Sequence, residues 1–145
     1  MESIVNSSSP AQSAEASLSV VRCGTHASRL APAENYVGTV RVDPLFPVVA
    51  PARAGATLVT FEPGARTAWH PHPLGQRLIV TAGCGCVQQW DQPMTEIRPG
   101  DVVVIPPHVK HWHGATKTTG MSHIAIHEYL DGHVVDWAEH VTDDV

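Results

Sequence analysis

From Tyr36 onward the chain is a succession of short runs rich in β-branched and apolar residues, each closed by glycine or proline. The runs are YVGTVRV, ATLVTFEPGA, QRLIVTAGCGCVQQW, TEIRPGDVVVIPP and MSHIAIHEYL. Punctuation this regular leaves no room for long helices and predicts an all-β sandwich or barrel. One short helix is expected over Val134–His140, in VVDWAEHV, lying on the outside of the barrel, with an extended tail as the other form open to that segment. Residues 1–20 are rich in Ser and Ala without a sustained period and read as a disordered or loosely attached tail, leaving residues 21–145 as a single domain.

Composition removes several classes of partner. Nine Lys and Arg against fourteen Asp and Glu give a formal charge of −5 with no long run of one sign, which makes nucleic acid a poor partner. No stretch has the apolar length of a membrane span, and the first residues lack the basic and apolar regions of a signal peptide, so a cytoplasmic location is expected. Cys23, Cys84 and Cys86 are odd in number and are expected as reduced thiols rather than a disulfide framework.

The chemistry lies in the ten histidines. His70 and His72 are two apart, so on an extended strand both point to one face while Pro71 points away. Gln76 follows a Pro73-Leu74-Gly75 turn that can swing its amide oxygen toward the same point. His111 and His113 repeat the geometry in KHWHG, and His123 and His127 repeat it in HIAIHE with Ala125 between them on that face. Three strands thus aim imidazoles at one apolar interior, where each ring nitrogen needs a partner and a metal or ligand would supply it. His26, His108, His133 and His140 read as ordinary surface or core histidines, and Lys110 as an outward, solvated side chain. Val59, Leu78, Val80, Trp112 and Ile126 are candidates for an apolar wall, with core the preferred reading of each.

The stretch Gly64 to Gly83, G-x5-H-x-H-x3-Q-x6-G, resembles the first motif of the cupins, and Gly100 to His111, G-x5-P-x4-H, resembles the second. The resemblance implies a jelly-roll barrel and, residue by residue, a divalent metal held by His70, His72, Gln76 and His111. Gln76 stands where most cupins carry Glu, and His108 where the second motif usually has Gly. The segments VRVDPLF, TFEPGARTAWHPHPLGQ, VTAGCG, IRPGDVV, KHWHGA and DGHVVDWAEHVTD resemble the small bacterial manganese-dependent cupins that act as (R)-selective hydroxynitrile lyases. That likeness implies His123 as general base, and the position of His127 is commonly Gln in that family. In the cyanohydrin cleavage it suggests, His113 and His127 would orient the substrate or hold the leaving cyanide, and Thr67 could add a hydroxyl contact. The likeness implies a small-molecule substrate, and small single-domain cupins generally imply a homo-oligomer, dimer or tetramer.

Three neutral imidazoles and a neutral amide leave a divalent ion its full charge, making it a stronger Lewis acid than one bound by Glu. The nitrogen and oxygen donors suit manganese first, with iron, nickel, cobalt or zinc able to fill the site. A metal-dependent dioxygenase on the same barrel and a non-catalytic small-molecule-binding domain are the alternative functions.

Overall fold

The computed structural model describes residues 16–143. Eleven strands follow in chain order: β1 (Arg29–Leu30), β2 (Tyr36–Val37), β3 (Val40–Phe46), β4 (Ala54–Phe61), β5 (Arg66–Thr67), β6 (Gln76–Gly83), β7 (Gly85–Gln89), β8 (Thr95–Ile97), β9 (Val102–Ile105), β10 (His111–Ala115) and β11 (Met121–Glu128). They form a six-stranded sheet in the order β1-β3-β4-β11-β6-β9 and a five-stranded sheet in the order β2-β5-β10-β7-β8. The strand pairs are antiparallel.

Alternation decides what faces inward. On β11 Met121, His123 and Ala125 are buried while Ser122, Ile124 and Ile126 are partly exposed on the other face. On β6 Gln76, Leu78 and Val80 are buried between outward Arg77, Ile79 and Thr81. Of these inward residues, Leu78, Val80, Met121 and Ala125 join Val40, Val59, Phe61, Ile97 and Ile105 in the main core. Of the five candidate wall residues, Val59, Leu78 and Val80 are core, and Ile126 lies on the outer face outside it.

Trp112 belongs to a second cluster with Trp69 and Val141, on the far side of β10. That cluster explains why all five residues of β10 are buried: His111 and His113 face the interior, and Trp112 is covered from outside.

The cover is the segment of residues 133–143, and here the helix expected over Val134–His140 is not formed; the extended alternative is. The backbone N–H of Asp136 donates to Pro71 O (3.0 Å), that of Ala138 to Trp69 O (2.8 Å), and Trp69 N–H donates to Glu139 O (2.9 Å). An extended strap satisfies these groups against the 69–71 segment, which a helix could not do. Leu130 and His133 pair across an Asp131-Gly132 turn with both central φ positive (51° and 77°), a two-residue hairpin that sends the strap back across the barrel. Lys110 is not a freely solvated side chain: its ammonium pairs with Glu139 on the strap and lies 3.8 Å from the Trp90 ring centroid.

The expected N-terminal tail lies mostly outside the described residues; residues 16–20 are exposed and without strand or helix. Among the described residues no helix is long and apolar enough to cross a membrane. Cys23, Cys84 and Cys86 are free thiols.

Candidate metal centre and its cavity

His70, His72 and Gln76 reach the interior from the segment entering β6, His111 and His113 from β10, and His123 and His127 from β11. His70 and His111 are tied by reciprocal backbone bonds, His70 N–H to His111 O (2.9 Å) and His111 N–H to His70 O (3.1 Å). Their ring centroids are 4.3 Å apart. Gly75 lets Gln76 turn in: its φ is 78°, and a Cβ there would lie 2.3 Å from Ile105 O. The second motif keeps its turn without glycine, with His108 at φ 64° and its N–H donating to His72 O.

Three imidazoles are oriented alike. Nδ1–H of His70 donates to Ala68 O (2.7 Å), that of His72 to Val134 O (2.7 Å), and that of His111 to Val109 O (2.9 Å). A carbonyl oxygen can only accept, so the proton sits on Nδ1 and Nε2 carries a bare lone pair. Nε2 of His72 and His111 and Oε1 of Gln76 are buried without a hydrogen-bond partner. Unpartnered buried acceptors on neutral donors fit a cation, so these residues could hold a metal ion.

His113 differs. Its Nδ1 lies 2.9 Å from His123 Nε2, leaving His113 Nε2 and His123 Nδ1 without partners. Ligand atoms of His70, His111 and His113 all lie within 4.8 Å of one another, so His113 belongs to the same cluster. Its backbone N–H donates to Thr67 Oγ1 (3.2 Å), which ties β5 to β10 at the site.

Burial keeps the whole group neutral. It holds His70 well below the ordinary histidine range, helped by neighbouring His111, and does the same to His113, helped by His123. Burial pushes His111 and His123 down to about 4 and also lowers His72 and His127.

A cavity of about 220 Å³ opens onto this group, lined by Thr67, His70, His72, Gln76, His113, His123 and His127 among others. His111, 1% exposed, is not among the lining residues. Sequence reasoning missed Tyr36, Val42, Thr57, Tyr129, Val134, Val135 and Trp137 on this wall; Val59, a candidate wall residue, and Ala125 complete the lining. Thr57 was within reach, being two residues before inward Val59; Trp137 was not, because its segment read as an outer helix. Burial pushes the Tyr36 phenol up to about 12, keeping it neutral.

Residues 57–127 match the family model described as the cupin domain. The chain is 58% identical over 127 residues to an (R)-mandelonitrile lyase of Granulicella tundricola, an alignment covering 88% of this chain and 97% of that protein. A cupin-like protein of Thermotoga maritima superposes with a TM-score of 0.76 at 39% identity, over 79% of this chain and 87% of the other. A polyketide cyclase of Streptomyces resistomycificus shares the fold with a TM-score of 0.59 at 17% identity, over 72% and 74% of the two chains. Two facing antiparallel sheets, histidines converging between them and this degree of identity lead to one conclusion: the chain belongs to the cupin family.

Proposed function

We propose that this chain is a metal-dependent hydroxynitrile lyase, which cleaves a cyanohydrin into an aldehyde and hydrogen cyanide. The observation that carries the reading is the set of buried, unpartnered acceptors, His72 Nε2, His111 Nε2 and Gln76 Oε1, beside a neutral histidine pair. The 58% identity to an (R)-mandelonitrile lyase supports the reaction class.

His70, His72, Gln76 and His111 would hold the ion, since three of them present Nε2 with Nδ1–H fixed on a carbonyl and the fourth presents an amide oxygen. Bound there, a divalent metal, manganese first, supplies Lewis acidity that lowers the pKa of a nearby hydroxyl. His113 is left out of the ligand set because, with His123 Nε2 donating to its Nδ1, a neutral His113 would carry its own proton on Nε2 and have no lone pair to give an ion.

With His123 Nε2 donating to His113 Nδ1, His123 Nδ1 keeps a lone pair and takes the cyanohydrin hydroxyl proton. The bond between the carbinol carbon and the nitrile carbon then breaks, its electron pair leaves on cyanide, and cyanide takes the proton from His123. His127, neutral and on the cavity wall, would hold the leaving nitrile, while Thr67 keeps β5 against His113 and offers its hydroxyl proton to the substrate. A cavity of about 220 Å³ suits a small substrate, being below the roughly 300–1,000 Å³ of pockets for drug-sized ligands.

A reducing, cytoplasmic setting is supported by the three free thiols. Pairing of copies through edge strand β9 is supported by Val102 and Val104, 58% and 63% exposed, and a monomer mass by light scattering would remove it.

Metal analysis joined to a mandelonitrile assay under air and under nitrogen tests the function. Expected are about one divalent ion per chain, equal cleavage in both atmospheres, and loss of both ion and cleavage in the His70→Ala, His72→Ala double variant. Oxygen consumption without cleavage would overturn the lyase in favour of a dioxygenase.

A further inference from the structure

Trp137 is the one large aromatic side chain of the strap, and neither core cluster takes it up. Val141, four residues on, is 1% exposed between Trp69 and Trp112, whereas Trp137 is 36% exposed and lies on the cavity wall. Its ring centroid is 4.7 Å from that of His70 (interplanar angle 47°) and 5.3 Å from that of Tyr36 (57°). One part of the indole thus meets the site and another meets water.

The ring is not on a loose flap. Asp136 N–H on Pro71 O, Ala138 N–H on Trp69 O and Trp69 N–H on Glu139 O bracket residue 137 on both sides. Arg66, whose side chain is 15% exposed, donates from Nε and Nη2 to Val141 O and pairs with Asp143, pinning the strap further on. Packing alone does not account for a tryptophan held this rigidly at a wall and left this open, whereas a flat recognition surface does.

We propose that Trp137, backed by Tyr36, is the specificity-determining residue of the site and selects small substrates that carry an aromatic ring on the reacting carbon. The proposal rests on the lyase reading for its substrate but names the group that discriminates. A ring entering the cavity meets the indole and the phenol in offset or edge-to-face contact, which favours it over a saturated group of similar bulk. Val134 and Val135 complete an apolar wall that accepts bulk without selecting for π character.

The test compares Trp137→Phe, which keeps a ring, with Trp137→Leu, which keeps only apolar bulk. Three quantities are read in the holoprotein: metal content, kcat/KM for mandelonitrile relative to lactonitrile, and NMR-titrated affinity for benzyl alcohol relative to cyclohexylmethanol. Expected is full metal in both variants, a fall of about tenfold in both ratios for Trp137→Leu, and retention to within about threefold for Trp137→Phe. A Trp137→Leu protein that keeps both ratios would overturn the proposal. So would one that loses its metal, since Trp137 would then serve only to hold His70. If the parent protein cleaves neither cyanohydrin, the lyase reading falls and the alcohol ratio alone decides the role of Trp137; a parent without preference for benzyl alcohol overturns it.

Discussion

The rings of His113 and His123 share one hydrogen bond, and each keeps one nitrogen without a partner. Both are neutral by burial, so the pair can take up one proton without first giving one away. Replacing His123 by Ala removes the proposed base but none of the proposed ligands. We expect the variant to keep the parent's metal content while cyanohydrin cleavage falls by about 10²–10⁴, the usual worth of a positioned base. Recovery of most activity in His123→Gln would show that volume and polarity alone matter there. His127→Gln is the control and should stay active, since a neutral amide can still contact a nitrile. The spacing of His70 with His72 and of His111 with His113 was legible because period-two alternation fixes which side chains share a face. The hydrogen bond between His113 and His123 was not, since it depends on how the two sheets face each other.

The strands were legible from runs rich in β-branched and apolar residues, such as QRLIV and HIAIH, with Gly and Pro marking their ends. The 133–143 strap was not, because its apolar residues fit a short helix as readily as an extended chain until the unpaired backbone of residues 69–71 is known to need partners. With the strap misread, four cavity residues disappeared from view: Val134 and Val135, Trp137, and Tyr36, against which Trp137 packs. At this scale the turn before β6 is the sharpest point of control. Gly75 holds a left-handed φ of 78° against the Ile105 carbonyl, and it is the residue just before Gln76. Gly75→Ala should cost at least about 2 kcal/mol, combining the left-handed penalty with displacement of β9, and should weaken metal binding by moving Gln76. Urea unfolding and metal titration of the same variant check it; unchanged values in both would mean that the turn yields easily.

For the molecule as a whole, the buried histidines set an acid limit. His70, His72, His111, His113, His123 and His127 all have lowered pKa values in the fold. Unfolded, each titrates near 6.5, so below that pH the unfolded chain binds protons that the folded chain refuses. Stability is therefore complete above about pH 6.5 and declines as pH falls. Each group contributes a slope of about 1.4 kcal/mol per unit, which ends for His111 and His123 where they protonate in the fold, at about 4. Denaturant unfolding of the metal-free protein between pH 7 and 4 should show this steep loss; a flat profile would mean that the imidazoles are solvated. Metal binding should weaken in the same direction, since protons compete for the same nitrogens. The carbonyls that orient the rings also carry a temporal order. Those for His70 and His111 lie two residues upstream, at Ala68 and Val109, so a forming strand aligns these rings early. The one for His72 belongs to Val134, so that ring waits for loop closure across most of the barrel. In a refolding chain the metal should thus be captured last, after the sheets have formed and as the strap docks.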